Sequence, residues 1–317
     1  MTTGPQTTPP PYPDSVRIVE VAPRDGLQNE DLGLPVETRI EFIERLADAG
    51  LTTIEAGSFV SPDWVPQMAD TDQVLAGLRR REGVSYPVLV PNMRGLEGAL
   101  RAGAREIAVF AAASETFSQK NINSTVSDSL SRYAEVAAAA RAEGVAVRGY
   151  VSCALGCPYE GEVALTAVRD VAGSLVDMGC YEVSLGDTIG VGTPEKARMM
   201  VRAVAERVPV AHLAVHFHDT YGQALANVLA VLYEGVRVVD SSVAGLGGCP
   251  YAPGAAGNLA TEDLLFMLDG LGIRTGVRLH ELAAAGRFIT GHLGRTPRSR
   301  AAQALAATAQ AVGAMEE

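Results

Sequence analysis

VRIVEVAPRDGLQNE, residues 16–30, is the stretch on which the fold class turns. Its first six residues form a short β-branched run that reads as a strand. The turn that follows is polar and lacks the G-x-G-x-x-G of a dinucleotide-binding fold. Seven similar runs recur downstream: TTIEA (52–56), YPVLV (86–90), EIAVFA (106–111), VAVRGYV (145–151), YEVSL (181–185), LAVHF (213–217) and VRVVDSSV (236–243). Amphipathic stretches separate them. VETRIEFIERLADAG (36–50) shows the clearest 3.6-residue period, with Ile40, Ile43, Leu46 and Ala47 on one face and a stop at Gly50. Others end at Gly103, Gly144, Gly179 and Gly235. Eight strands alternating with helices imply a parallel sheet, and the count favours a closed (β/α)8 TIM barrel over an open doubly wound sheet. We expect an α/β chain with a flexible tail over 1–15, the barrel over 16–270, and additional C-terminal helices packed on it over 271–317, the end a candidate for disorder.

Composition narrows the function. The 317 residues are 47% hydrophobic and 20% charged, enough to bury a large core. Lys plus Arg less Asp plus Glu is 26 − 37 = −11, so a general nucleic-acid or anionic-membrane binder is not expected. No apolar run reaches the ~18 residues that span a bilayer. The opening MTTGPQTTPPPYPDS lacks the apolar core of a secretory signal and the Arg-rich pattern of a transit peptide. The four cysteines show no C-x-x-C spacing. A soluble cytoplasmic protein with reduced thiols is the expectation.

In such a barrel, chemistry gathers just after the strands. The polar residues there are Arg24, Asp25, Glu55, Asp187, His216 and His218, followed by a late loop holding Cys249 and Asn258. Alternate residues of a strand share a side, so both imidazoles of His216-Phe217-His218 can face the barrel mouth. Closure places strand 1 beside strand 8, which brings Asp25 and the late loop to the same rim. Two imidazoles, a carboxylate and an amide oxygen suit a divalent cation with open positions, acting as Lewis acid and template. GLGGCPYAPGAAGN (245–258) has the glycines of a lid, with Cys249 at its centre as a proton donor or acceptor. GCPYEG (156–161) repeats part of that string, and its Cys157 reads as structural. Arg24 is either a loop ion-pair partner or the cation that holds a developing enolate. Asp187 reads equally as a cap for the next helix or as a substrate contact. Glu55 is an active-site acid or a partner of Arg24.

Carried by VAPRDGLQNE (21–30), IEAGSFVSPDWVPQMAD (54–70), RGYVSCALGCPYEG (148–161), YEVSLGDTIGVGTP (181–194), HFHDTYGQALAN (216–227) and VDSSVAGLGGCPYAPGAAGNLATEDL (239–264), the chain resembles the 3-hydroxy-3-methylglutaryl-CoA lyases. These belong to the metal-dependent lyase and Claisen-type TIM-barrel superfamily. The resemblance runs from about residue 16 to about 290. It implies that Asp25, His216, His218 and Asn258 bind Mg²⁺ or Mn²⁺, that Arg24 contacts the substrate carbonyl, and that Cys249 is a lid-borne catalytic thiol. Glu55 and Asp187 match further active-site acids. The implied reaction cleaves 3-hydroxy-3-methylglutaryl-CoA into acetoacetate and acetyl-CoA, with Asp25 or His216 as base and Cys249 or His216 as the acid that protonates the enolate. The implied partners are an acyl-CoA substrate and further copies of the chain, a dimer being favoured. The pathway, leucine breakdown or ketone-body formation, stays open.

Coenzyme A phosphates need local positive charge in an acidic protein. Gln28 and Lys120 (in SQKNIN) are candidate substrate contacts, and the segment 282–315, with four Arg and no acid, reads as a solvated basic tail. Two rivals share the scaffold: a Claisen condensing enzyme acting on a 2-oxo acid or another 3-hydroxyacyl-CoA, and a non-catalytic acyl-CoA- or metal-binding barrel. The condensing relatives carry a long C-terminal region, and this chain ends about 50 residues after its last barrel helix begins. Every candidate site position holds a chemically competent residue, which weighs against the second.

Overall fold

A computed structural model of the chain describes residues 12–248 and 257–316. Strands β1 (Arg17–Glu20), β2 (Thr53–Ile54), β3 (Gly57–Ser58), β4 (Val88–Leu89), β5 (Glu106–Ala112), β6 (Ala146–Ser152), β7 (Glu182–Asp187), β8 (Leu213–Phe217) and β9 (Val238–Ser241) are all parallel to their neighbours. Helices α1 (Val36–Asp48), α2 (Thr71–Gly77), α3 (Met93–Arg101), α4 (Glu115–Ile122), α5 (Val126–Ala142), α6 (Leu165–Asp177), α7 (Pro194–Ala205), α8 (Ala224–Leu232) and α9 (Thr261–Gly270) alternate with them. Two more, α10 (Leu279–His292) and α11 (Arg300–Glu316), follow. At the chain's start, Ser15 bridges to Arg274 and the Tyr12 ring meets Tyr233 edge-on.

Eight strands were expected and nine segments are seen, because one strand changes partner midway. The sheet order is β2-β1-β9-β8-β7-β6-β5-β4-β3, so its two ends are the two arms of residues 53–58. Thr53 and Ile54 pair with β1, while Gly57 and Ser58 pair with β4. Between them the Glu55 N–H donates to the Glu20 carbonyl and the Ala56 N–H to that of Pro87. The ring therefore closes through a single strand. Gly57 is required at the crossover, since a Cβ there would lie 2.6 Å from Thr71 Oγ1 at the start of α2.

Outward side chains of the strands, such as Ile18, Ile107, Val147, Val183 and Val215, pack on Phe42, Ile43, Leu46, Val136, Leu175 and Met200 of the helices. Each such burial stabilises by roughly 1.5–3 kcal/mol. Helix ends fall at the expected glycines: Gly50, Gly103, Gly144, Gly179 and Gly235 all have positive φ, the left-handed geometry that lets the chain turn back to the sheet.

The inside of the ring departs from the branched-aliphatic layers usual in such barrels. Two small apolar patches, Val19 with Val21, Ala214 and Val238, and Leu89 with Ala108 and Tyr150, flank buried charges. Arg148 donates to Glu182 at 2.8 Å and to both oxygens of Asp240 at 3.1 and 2.7 Å. Arg17 also reaches Glu182. The signal for this network was present in sequence as Arg148, Glu182 and Asp240, charged residues set inside the apolar runs VAVRGYV, YEVSL and VRVVDSSV.

Candidate active site

Strand β1 does not run directly into a helix. It ends in a single π-helical turn, Ala22–Gly26, whose Pro23 opens it and whose Arg24 and Asp25 face the ring, an irregularity common where side chains must be aimed. Arg24, 6% exposed, donates from Nε to Glu55 Oε2 at 2.6 Å and from Nη1 to Asp25 Oδ1 at 2.8 Å. Its guanidinium carbon sits 5.6 Å from the centre of the Tyr150 ring. Nη2 has no partner among the described residues. Burial works against the guanidinium charge, but the Glu55 and Asp25 carboxylates outweigh it and hold the proton on more firmly. Burial pushes the Glu55 carboxyl up, against the pull of Arg24.

His216 is the penultimate residue of β8, paired with Asp240, and His218 is the first residue beyond the strand. Their Nε2 atoms lie 3.4 Å apart, and His216 Nε2 is 3.8 Å from Asp25 Oδ2. One ligand atom each from Asp25, His216 and His218 lie within 4.8 Å of one another. Behind the pair, His216 Nδ1 is 3.5 Å from Asp240 Oδ2. Burial lowers the basicity of His216, yet Asp240 and Asp25 more than restore it. His218 is held neutral, its pKa down at about 4, by burial and by its positive-tending neighbour His216. Burial would raise Asp25, but Arg24, His216 and His218 keep it ionised. An anionic oxygen and two imidazole nitrogens converging on one point form a donor set that fits a divalent cation with open coordination positions.

Asn258 meets this cluster by donating from Nδ2 to Asp25 Oδ2 at 2.7 Å and to the Leu246 carbonyl at 3.1 Å. Two acceptors on one side fix the amide nitrogen there, so in this arrangement Asn258 holds Asp25 rather than offering its oxygen at that contact. The loop it closes is drawn tight at its ends: Arg298 donates to the Gly247 carbonyl at 3.0 Å, and a Cβ on Gly257 would lie 2.2 Å from the same oxygen. Cys249, the expected thiol of the lid, lies outside the described residues.

Other expectations fall differently. Asp187 is fully buried and accepts the backbone N–H of Val191 at 3.1 Å and of Gly192 at 2.8 Å, so its carboxylate organises the loop after β7 and does not face the cleft. Glu55 stands as the partner that orients Arg24. Its Oε1 has no hydrogen-bond partner among the described residues. Two of the four C-terminal arginines are not a solvated tail: Arg295 pairs with Glu30 at 2.7 Å, and Arg298 donates to the Gly247 carbonyl, while Arg287 and Arg300 are exposed as expected. Cys157 is buried, with Sγ 3.0 Å from Ser114 Oγ and accepting the N–H groups of Tyr159 and Glu160. Sequence reasoning also passed over Glu20 and Glu262. Glu20 accepts from Ala22 N–H, Val243 N–H and Thr261, and Glu262 holds the Ala244 N–H, so together they brace the turn after β9 from beneath.

The cleft over this cluster has a volume of about 780 Å³. Gln28 and Lys120, the two candidate substrate contacts, both line it, with Gln28 Nε2 3.5 Å from Asp25 Oδ1.

Residues 15–289 match the model of the HMGL-like family. The chain is 59% identical to the mitochondrial hydroxymethylglutaryl-CoA lyase of Bos taurus over 293 residues, covering 92% of this chain and 90% of that one. It is also 59% identical to a 3-hydroxy-3-isohexenylglutaryl-CoA/hydroxymethylglutaryl-CoA lyase of Pseudomonas aeruginosa, over 94% of this chain and 99% of that one. A crystal structure of the hydroxymethylglutaryl-CoA lyase from Pseudomonas aeruginosa superimposes with a TM-score of 0.93 at 58% identity, covering 94% of this chain and 99% of that one.

Proposed function

The chain belongs to the HMGL-like family, and from that premise we propose that it is a divalent-metal-dependent carbon–carbon lyase that cleaves 3-hydroxy-3-methylglutaryl-CoA into acetyl-CoA and acetoacetate. The observation that carries the mechanism is the setting of Arg24. Two of its donors are spent on Glu55 and Asp25, which lock the guanidinium plane, and Nη2 is left to meet a substrate oxygen beside the Asp25, His216 and His218 cluster.

Asp25, His216 and His218 would hold Mg²⁺ or Mn²⁺, and Asn258, whose Nδ2 rests on Asp25 here, would join them through its Oδ1 once the amide turns. When bound, the cation supplies Lewis acidity toward the oxygens of the substrate. His216, backed by Asp240, is placed to take the C3 hydroxyl proton, with Asp25 the other acceptor at the rim. The C3 oxygen then becomes the ketone of acetoacetate, the C2–C3 bond breaks, and its electron pair passes into the thioester as the enolate of acetyl-CoA. Arg24 Nη2 stabilises that developing negative charge from a preorganised position in a buried site, where such charge stabilisation is worth most. A proton delivered to C2 from the Cys249 thiol or from His216 completes the products. Gln28 and Lys120 are proposed contacts to the acyl-CoA.

The reading also fits a reducing compartment such as the cytoplasm, since Cys157 and Cys180 are buried thiols outside any disulfide. No helix among the described residues is long and apolar enough to cross a membrane.

The test is a metal-dependent assay of acetyl-CoA release. Arg24→Met is expected to lower kcat by about 10²–10³-fold, the usual result of deleting one preorganised oxyanion donor, with a much smaller change in KM. Near-normal kcat in this variant would refute the enolate role. Turnover of a 2-oxo acid with acetyl-CoA, in place of acetyl-CoA release, would replace the lyase reading with the condensing one.

A further inference from the structure

One short piece of the chain beyond the barrel reaches toward the site. Between α10 and α11, past the residues that match the family model, Arg298 meets the root of the glycine loop twice. Its backbone N–H donates to the Ala244 carbonyl at 2.9 Å, and its Nη1 to the Gly247 carbonyl at 3.0 Å. The two segments are so close that a Cβ on Gly245 would lie 3.2 Å from Arg298 Cβ. The segment that carries Arg298 is itself fixed. Ser299 caps α11 by accepting the Ala302 N–H at 3.0 Å. Asp263 of α9 accepts Ser299 Oγ at 2.8 Å and the N–H groups of Ala301 and Arg300 at 2.7 and 3.3 Å, donors that the start of a helix leaves unpaired. On the other side Arg295 is tied to Glu30. A surface side chain thus starts from a rigid backbone.

What Arg298 holds bears on the cation cluster. Glu20 and Glu262 grip the turn after β9 from beneath, through the Val243 and Ala244 N–H groups. Beyond that grip the backbone keeps positive φ at Gly245 and Gly247, 63° and 110°, a conformation that glycine adopts without steric cost. Arg298 fixes the far end of this run. Gly247 stands directly against two residues of the cluster: a Cβ on it would lie 2.7 Å from Asn258 Nδ2 and 3.6 Å from the Asp25 carbonyl oxygen. Asn258 Nδ2 in turn donates to Asp25 Oδ2 and to the Leu246 carbonyl. A chain of direct contacts therefore runs from Arg298 through Gly247 to Asn258 and Asp25.

We propose that Arg298 is a positioning residue for the cation site: it pins Gly247, and Gly247 holds the Asn258 amide beside Asp25. The assignment rests on the metal-dependent reading above and adds a control on the site from outside the barrel. A guanidinium donating to a carbonyl makes a charge-assisted hydrogen bond, stronger than a neutral one. Residues that orient metal ligands without touching the ion change its affinity by about 10–100-fold. The ligands themselves stay in place when Arg298 is shortened, so the loss is partial.

The test is isothermal titration of the full chain, stripped of metal with EDTA and dialysed, with Mn²⁺. Arg298→Met removes the Nη1 donor and leaves the backbone bond to Ala244. Its Mn²⁺ affinity should fall about tenfold, the lower end of the range for an outer partner. The thermal midpoint in EDTA should stay within about 2 °C of wild type, because only a surface side chain is lost. Arg298→Lys keeps a charged donor on a long stem and should recover most of the affinity. Gly247→Ala, whose Cβ would press on Asn258 Nδ2, should weaken Mn²⁺ binding at least as much as Arg298→Met. An affinity within about twofold of wild type in Arg298→Met or in Gly247→Ala, or equal losses in the Met and Lys variants, would overturn the positioning role and leave the lyase reading standing. Wild-type protein that binds Mn²⁺ yet releases no acetyl-CoA, with the expected loss in Arg298→Met, would overturn the lyase reading and leave the positioning role standing.

Discussion

Replacing Asp240 with Asn removes one charge from the inside of the barrel without changing the volume there. The carboxylate is 1% exposed and accepts from Arg148 at 3.1 and 2.7 Å and from Ser184 Oγ at 2.8 Å. After Asp240→Asn, the fully buried Arg148 keeps Glu182 as its one carboxylate partner, and Glu182 is shared with Arg17. Removing one partner of a buried ion pair costs about 3–5 kcal/mol, and the amide's remaining acceptor places the loss near 3. An unfolding entropy of ~2.1 cal/mol/K per residue gives ~0.7 kcal/mol/K for 317 residues, so the thermal midpoint should fall by ~4–5 °C. The site should respond separately. His216 loses the carboxylate 3.5 Å behind its Nδ1, and the loss of such an outer partner weakens metal binding by about 10–100-fold. Calorimetric unfolding in EDTA reads the first effect, and isothermal titration with Mn²⁺ reads the second. A midpoint within about 1 °C of wild type, with unchanged Mn²⁺ affinity, would refute both the strength assigned to the network and its role behind His216.

Three further outcomes follow from the same geometry. Mg²⁺ at a hundredfold excess over its Kd should raise stability by ~2.7 kcal/mol, or ~4 °C in the midpoint, and EDTA or His218→Ala should abolish the shift; an undiminished shift in the variant would remove His218 from the site. Burial pushes the Glu262 carboxyl from 4.5 up to about 8. The folded state therefore holds an extra proton between those values, and stability should fall as pH rises through that window. Glu262→Gln should flatten this slope in midpoints measured from pH 5 to 8, and an identical slope would count against a protonated Glu262. The Tyr133 hydroxyl is buried with no partner among the described residues, so Tyr133→Phe should leave the midpoint unchanged or raise it, because a buried unsatisfied group costs about 1–3 kcal/mol. A drop of several degrees would show that the hydroxyl is satisfied in the folded protein.

Much of the architecture was legible because its causes are local. LAVHF coincides with β8 (Leu213–Phe217), and the other runs place their strands to within a few residues, because period-2 patterning and the glycines that end helices act over a handful of positions. The convergence of Arg24, Asp25, His216 and His218 was also readable, since strand parity and barrel closure together put those positions on one rim. Asp187 and the C-terminal arginines were harder. Whether a polar side chain after a strand turns toward the cleft or toward its own loop depends on which backbone N–H groups the loop leaves unpaired, and that is settled only when the chain has folded.

By itself, then, the sequence determined the alternation of strand and helix, the parallel sheet, and the set of residues able to do the chemistry. Those properties follow from spacing and residue type. Tertiary structure alone decided that residues 53–58 serve two neighbours and close the ring, that Glu55 and Asp25 spend two donors of Arg24 and leave Nη2 without a partner among the described residues, and that Arg148, Glu182 and Asp240 neutralise one another inside the barrel. Apart from the Arg24–Asp25 pair of chain neighbours, these are contacts between residues distant in sequence, with separations from 31 to 92 for Arg24–Glu55, Arg148–Glu182 and Arg148–Asp240. The curvature and register of the whole ring bring them together, and no local pattern encodes those.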